Sequence, residues 1–135
     1  MAQWLMKSEP FKYSWDDLVR DGSTHWNGVR NHQAALYLKA MKIGDDVFFY
    51  HSNEGLAVVG TARVVKEYYP DPSDEKGRFV MVDIAPVAPF AKPVTLAAMK
   101  AEPRLADMKM FQQFRLSVCP IAPDEWDVIT AMGRV

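Results

Sequence analysis

The feature that most constrains the fold is a change in the spacing of apolar residues near the middle of the chain. Residues 47–52 read Val-Phe-Phe-Tyr-His-Ser, a short turn follows at 53–55, and a second strand-like run extends from Leu56 to Val65. Two such runs joined by a short polar turn containing glycine predict a β-hairpin. Gly60 interrupts the second run, which predicts a bulge or a close approach of another backbone at that point.

Short helices are predicted on both sides of this hairpin. Ser14, Asn31 and Thr95 stand where a side chain can accept hydrogen bonds from the first free N–H groups of a helix. Residues 68–77 are rich in proline and charge, which favours a loop. The predicted helices cover residues 15–20, 32–41, 96–101, 103–108 and 123–132, and the predicted strands cover 4–6, 47–52, 56–65, 78–87 and 116–119.

The order of these elements predicts an α+β fold, a small mixed barrel of about five strands surrounded by helices. Strands and helices do not alternate regularly, which argues against a doubly wound parallel sheet. With 135 residues, the chain is long enough for one core but not for two independent ones. We therefore expect one domain over residues 1–135.

Composition excludes several functions and locations. The formal net charge of −1 disfavours wrapping of long duplex nucleic acid, which is driven by the release of counterions by basic surfaces. No stretch is long and apolar enough to predict a membrane span, and the start of the chain lacks the pattern of a secretory signal. These features predict a cytosolic protein with no membrane partner.

No cofactor or metal is predicted. His25, His32 and His51 do not follow the spacing of a known metal motif, and the glycines form neither a P-loop nor a dinucleotide-binding turn. Cys119 lies among apolar residues, which favours a core position over a nucleophile. A hydrolase triad built on His51 lacks a residue to orient it, so an enzyme is disfavoured and no catalytic residue is assigned.

Polar and aromatic residues gather instead at four predicted strand ends and turns, where binding sites are often placed. A planar base needs an aromatic face to stack on and hydrogen-bonding groups for its edge. Trp26, Phe49 and Tyr50 are candidates for stacking. Ser8, Asn31, Ser52 and Ser117 are candidates for edge contacts, and Lys7, Arg30 and Arg115 are candidates for phosphate contacts.

Each candidate also has a structural interpretation. Large aromatic side chains such as Trp26 more often belong to the core, and either Phe48 or Phe49 must face inward, because neighbours in a strand point to opposite sides. Asn31 can be a helix cap alone, and Gly28 can serve a turn with positive φ. His51, Arg30 and Arg115 can be ordinary surface residues.

Three blocks of the sequence resemble the EVE domain family. They are Trp4-Leu5-Met6-Lys7-Ser8-Glu9-Pro10, the segment from Trp26 to Ala34 (WNGVRNHQA), and the segment from Val47 to Asn53 (VFFYHSN). Later segments at residues 64–72, 93–96 and 115–118 are similar to further blocks of the family in the same order. The resemblance covers nearly the whole chain.

This resemblance implies a PUA-like barrel, related to YTH domains, with a pocket for a modified base in DNA or RNA. One wall would be formed by Lys7, Ser8 and the segment from Trp26 to Asn31, which includes Gly28 and Val29, and the opposite wall by Tyr50, His51, Ser52, Leu116 and Ser117. Ala35 stands where many members carry arginine, and Lys39 is the candidate to replace that phosphate contact. Phe114 is more apolar than the family resemblance leads us to expect, which leaves a core or a rim position open.

The leading hypothesis is therefore a non-catalytic module that binds an extruded, modified base in DNA or RNA. A small-ligand sensor using the same pocket and a protein-interaction domain are the alternatives. The sequence leaves open which modification is bound, whether DNA or RNA carries it, and the oligomeric state.

Overall fold

The computed structural model describes residues 2–53 and 55–134. Its strands are β1 (Gln3–Ser8), β2 (Thr24–His25), β3 (Asp46–His51), β4 (Ala57–Pro70), β5 (Val80–Thr95) and β6 (Val118–Ile121). Its helices are α1 (Trp15–Asp21), α2 (His32–Ala40), α3 (Leu96–Ala101), α4 (Lys109–Gln112) and α5 (Pro123–Gly133), with a 3₁₀ turn at Pro103–Leu105.

One mixed sheet organises the molecule, in the order β2-β5-β4-β3-β1-β6. The neighbouring strands β1 and β3 are parallel, and every other pair of neighbours is antiparallel. The predicted α+β class with a mixed sheet is confirmed. The sheet has six strands rather than the predicted five, because the two-residue strand β2 pairs with β5. Among the described residues the sheet does not close into a barrel, since the strand order runs from one edge to the other.

The largest error of the sequence prediction concerns β4 and β5. Residues 68–70 lie in β4 rather than in a loop, because Tyr69 pairs with Met81 and Pro70 with Val80. Strand β5 begins at Val80 instead of residue 78 and continues to Thr95 instead of ending near residue 87. Pro86 and Pro89 are tolerated because they pair beside register shifts, where the regular hydrogen-bond ladder is already interrupted.

Two shorter elements also differ from the prediction. The last strand occupies Val118–Ile121 rather than residues 116–119, because these four residues are the ones that pair with β1. The predicted helix over 103–108 is only a 3₁₀ turn, and the short α4 follows it.

Gly60 shows both features predicted for it. The register of β4 against β5 shifts between Val58 and Gly60. A Cβ at residue 60 would lie 2.7 Å from the Trp15 ring and 2.9 Å from the Ala88 carbonyl oxygen, both too close for ordinary contact. The missing side chain therefore lets α1 pack directly against the sheet.

The three predicted helix caps are confirmed. Ser14 and Asp17 form a capping box at the start of α1, while Asn31 accepts from Ala34 N–H and Thr95 from Ala98 N–H, each at 3.0 Å. In the described part of the chain, no helix combines the length and the hydropathy needed to span a membrane.

Apolar side chains pack on both faces of the sheet. Phe49 lies in one cluster with Trp15 and Trp26, and Phe48 and Tyr50 lie in the other with the helices that follow β5. This division follows from the alternation of side chains along β3. Cys119 is buried in the second cluster, as predicted, and burial raises the pKa of its thiol to about 11.

Candidate nucleic-acid interface

The parallel pair β1 and β3 brings the predicted site segments to one edge of the sheet. Lys7 is aligned with Tyr50, and Ser8 with His51, so the two strands end side by side. Lys7 N–H donates to the Ser117 carbonyl at 2.8 Å, and Ser52 N–H donates to the Ser8 carbonyl at 2.9 Å. Three of the four predicted segments therefore meet at the carboxyl ends of these strands.

Two neighbouring clefts open at this edge. The first cleft has a volume of about 480 Å³ and is lined by Lys7, Ser8, Glu9, Lys12, Tyr13, Asp21, Thr24, His25, Trp26 and Asn27. The second cleft has a volume of about 530 Å³ and is lined by Lys7, Glu9, Tyr50, Ser52, Asn53, Leu56, Phe114, Arg115, Leu116 and Ser117. Lys7 and Glu9 belong to both, so the clefts are adjacent.

One pocket with two walls was predicted from the sequence, and the structure divides those residues between two clefts. Ser8 and Trp26 line the first cleft, and Tyr50, Ser52, Arg115, Leu116 and Ser117 line the second. The reason is again the period of two: successive residues at the ends of β1 and β3 point to opposite faces of the sheet. Gly28, Val29, Asn31, Phe49, His51, Arg30 and Lys39 line neither of these two clefts.

Phe49 lies in the core rather than in a cleft. It is fully buried, with Trp15 and Trp26 both packed edge-on against its ring at centroid distances of 5.6 Å. Its contribution is to fix the position of Trp26, an aromatic residue of this cluster that also lines the first cleft. Val29 is also buried in this core cluster.

His51 and Asn31 both stabilise helix starts. The Nε2 atom of His51 accepts a hydrogen bond from Trp15 N–H at 3.1 Å, next to the N-terminus of α1. Burial lowers the pKa of this imidazole, and the nearby negative charge of Asp16 opposes that shift because it favours the protonated ring. The neutral ring with an acceptor nitrogen is the form that makes this contact. The side chain of Asn31 is the N-cap of α2, and Asn31 lines a separate shallow depression with Arg115 and Leu116.

A buried carboxylate that the sequence analysis overlooked holds the turn between Trp26 and Asn31. Asp71 accepts hydrogen bonds from Gly28 N–H at 2.8 Å and from the Arg30 guanidinium at 3.2 Å. It also accepts from the backbone N–H and the hydroxyl of Ser73. Gly28 has a φ of 82°, which confirms the predicted positive-φ turn. Asp71 thus ties the β4–β5 loop to the segment that carries Trp26.

The charge of Asp71 is strongly favoured in the folded protein. Burial alone would raise the pKa of this carboxyl, but the hydrogen bonds from Ser73, Gly28 and Arg30 outweigh it and lower the pKa to about 2. The signal in the sequence is the Asp-Pro-Ser segment, because aspartate often accepts from the backbone N–H two residues later.

Two residues predicted to contact phosphate, Arg30 and Lys39, lie outside both clefts. Arg30 is paired with Asp71, donates to the Ser73 hydroxyl at 2.9 Å and lies over the Phe79 ring at 5.4 Å. These contacts give Arg30 a structural role in the same turn. Lys39 is exposed in the last turn of α2, outside both clefts.

The first cleft is lined by balanced charges. Lys12 pairs with Glu9 at 3.3 Å, and the Tyr13 hydroxyl donates to Asp21 at 2.9 Å. The Ser8 hydroxyl donates to the Tyr13 carbonyl, which leaves its oxygen able to accept a further hydrogen bond. Beside the Trp26 indole, the cleft therefore offers polar groups without a strong net field.

The second cleft combines an exposed ring with positive charge. The Lys7 ammonium donates to the Phe114 carbonyl at 2.7 Å and lies 4.3 Å from the centroid of the Phe114 ring. Phe114 is 49% exposed, so it lies at the rim and not in the core. Tyr50 lines the same cleft, and among the described residues its buried hydroxyl has no hydrogen-bond partner.

No group of three or more His, Cys, Asp or Glu side chains suited to a metal ion occurs within residues 2–53 and 55–134.

The sequence matches the family described as the EVE domain over residues 2–132. The chain belongs to the EVE domain family. The predicted resemblance is confirmed by this match.

Solved EVE structures share the whole architecture. The chain is 52% identical to a protein from Rhodopseudomonas palustris whose NMR structure superposes with a TM-score of 0.93, covering 98% of this chain and 93% of the other. It is 33% identical to the human THYN1 protein, whose crystal structure in complex with 5-methylcytosine-containing DNA gives a TM-score of 0.92 and covers 100% of this chain and 99% of the other.

Curated relatives contradict the predicted location. The chain is 33% identical to human thymocyte nuclear protein 1, over 97% of this chain and 73% of the human protein. The related proteins of rat and chicken carry the same name. The prediction of a cytosolic location is wrong by this comparison, because these relatives are nuclear proteins by name.

Proposed function

We propose that this chain is a non-catalytic EVE module, formed by residues 1–135, that binds DNA carrying a modified base and takes that base, extruded from its stack, into the first cleft. The single observation that carries the proposal is the chemistry of this cleft, which is lined by Trp26 and by charge-balanced polar residues at the carboxyl ends of β1 and β3. The human relative whose crystal structure contains 5-methylcytosine DNA supports a modified cytosine as the base.

The size and charge of the first cleft suit a neutral heterocycle. Its volume of about 480 Å³ falls in the range of small-molecule sites and exceeds what one base requires. Its two lysines are balanced by Glu9 and Asp21, so the cleft does not select an anion. Selectivity would come from contacts to the base edge and from space beside the indole for a substituent.

Extrusion of the base is compatible with the low net charge of the chain. A protein with a charge of −1 gains little from counterion release along a duplex, so its affinity must come mainly from one inserted base and a few neighbouring contacts. Bases that are mismatched or single-stranded cost less to extrude, and such sites should therefore bind more tightly than fully paired ones.

The proposal is tested by measuring binding to a panel of short labelled oligonucleotides by fluorescence anisotropy at a fixed low salt concentration. The panel contains DNA and RNA, single strands and duplexes, each with cytosine, 5-methylcytosine, adenine or N6-methyladenine at one position. We expect DNA with 5-methylcytosine to bind more tightly than its unmodified equivalent.

Two outcomes would contradict the proposal. One is that no oligonucleotide binds more tightly than about 1 mM, which corresponds to only about 4 kcal/mol. The other is equal affinity for every modified and unmodified pair. A free modified base that binds as tightly as any oligonucleotide, with no salt dependence, would identify the small-ligand sensor instead.

A further inference from the structure

We propose that the second cleft is the binding site for the nucleotide next to the extruded base, with the neighbouring base on Phe114 and its phosphate near Lys100 and Arg115. This inference rests on the proposed function, because it assigns a site to the part of the DNA strand that continues from a base held in the first cleft. The two clefts share Lys7 and Glu9, so they are adjacent and consecutive nucleotides of one strand can reach both.

Phe114 has the properties of a stacking surface for a base. Its ring is 49% exposed, although nearby apolar residues of the same segment such as Leu116 are buried. The Lys7 ammonium at 4.3 Å from the ring centroid and the bond from Lys7 to the Phe114 carbonyl hold this residue in place. A ring fixed at the rim of a cleft can stack on any base, since every base has an apolar face.

The charge around the second cleft suits a phosphate. Lys7, Arg115 and Glu9 are its charged lining residues, and the Lys100 ammonium lies 6.0 Å from the Phe114 ring. Among the described residues, cations thus outnumber carboxylates here, whereas the two are balanced in the first cleft. An aromatic ring among several cations is the combination that single-stranded nucleic acid binds.

The Tyr50 hydroxyl is a further polar group beside this cleft that a bound nucleotide can use. Tyr50 is 1% exposed, and within the described part of the chain its hydroxyl has no hydrogen-bond partner. A buried hydroxyl left unpaired is unfavourable, so it is normally satisfied by another group or by water. A polar atom of the bound nucleotide would satisfy it.

The test compares two residues that are equally exposed. Phe114 and Tyr68 are both 49% exposed, but Tyr68 lies in β4 and lines neither cleft. We expect Phe114→Ala to weaken binding of a DNA oligonucleotide with a central 5-methylcytosine about 5- to 150-fold, the range for one lost base stack. Tyr68→Ala should bind it as the unaltered protein does. Free 5-methyl-2′-deoxycytidine should bind equally to both variants.

Two further variants separate charge and hydrogen bonding from folding. Lys100→Ala should reduce the salt dependence of oligonucleotide affinity by roughly one phosphate contact, whereas the exposed Lys92→Ala should not. Tyr50→Phe should weaken oligonucleotide binding about 2- to 10-fold without lowering the temperature of unfolding, because it removes a hydroxyl that is unpaired in the free protein.

The inference is overturned if Phe114→Ala and Tyr68→Ala bind the oligonucleotide equally, while the unaltered protein still prefers 5-methylcytosine. The proposed function would survive that result. If Phe114→Ala weakens the free nucleoside as much as the oligonucleotide, the second cleft holds the extruded base itself, and the inference is also wrong. Absence of binding to every oligonucleotide would refute the proposed function and this inference together.

Discussion

Replacing Asp71 by alanine should lower the free energy of unfolding by about 2–4 kcal/mol, because it removes a buried carboxylate that accepts several hydrogen bonds and leaves buried N–H groups unpaired at about 1–3 kcal/mol each. The variant leaves the N–H groups of Gly28 and Ser73 without their acceptor and removes the partner of Arg30. Urea unfolding followed by tryptophan fluorescence measures this loss. The same variant should weaken DNA binding, because the turn held by Asp71 follows directly on Trp26.

The matched control for this variant is Asp127→Ala, which removes an exposed carboxylate from α5. It should change the free energy of unfolding by no more than about 0.5 kcal/mol. A loss below about 1 kcal/mol for Asp71→Ala would contradict the structural role assigned to this carboxylate.

The pH dependence identifies the source of the effect. The pKa of Asp71 is lowered from 3.8 to about 2 in the folded protein. The contribution of its charge to the free energy of unfolding is therefore complete above about pH 4 and is lost as the pH falls through 2. The difference between the unaltered protein and Asp71→Ala should therefore narrow by about 2 kcal/mol over that interval. A constant difference would show that the charge of Asp71 is not responsible.

The second large effect concerns two tryptophans that pack in the same way. Trp15 and Trp26 are 7% and 9% exposed, and both lie edge-on to Phe49 at 5.6 Å. Only Trp26 lines the first cleft. Trp15→Leu and Trp26→Leu should therefore destabilise the protein by similar amounts, about 2–4 kcal/mol each, from lost packing and residual cavities.

Binding should separate these two variants. Trp26→Leu removes the stacking surface, worth about 1–3 kcal/mol per base, and should weaken binding of 5-methylcytosine DNA by about 5- to 150-fold. Trp15→Leu should retain the affinity of the unaltered protein when measured at a temperature where both variants are folded. Equal losses of affinity would mean that the first cleft does not contact the base.

Local sequence signals were sufficient for α1, α2, α3 and α5 and for the central hairpin, but not for residues 103–112. Ser14, Asn31 and Thr95 act through atoms only three residues away, so the cap and its partner are visible together in the sequence. The extension of β4 to Pro70 was not visible, because it depends on pairing with Val80 and Met81 across a loop and on several register shifts. The proline and charge of residues 68–77 pointed locally to a loop.

The site was predicted as a set of segments but not as a geometry. The strand ends at Ser8 and His51 do lie together, since β1 and β3 are parallel neighbours. Which side chains share a cleft depends on the register of that pair, and a sequence alone does not give the register. Asp71 was overlooked for a similar reason, because its partner Gly28 lies 43 residues earlier in the chain.

The most direct test of the account is the environment of the methyl group in the complex. A DNA oligonucleotide with a ¹³C-labelled methyl group on one 5-methylcytosine is bound to the protein, and nuclear Overhauser effects from that methyl group are recorded by NMR. The account predicts contacts from the methyl protons to the indole protons of Trp26 and none to the ring of Phe114. Contacts to Phe114 or Tyr50 without any to Trp26, or no protein contacts in a tight complex, would contradict it.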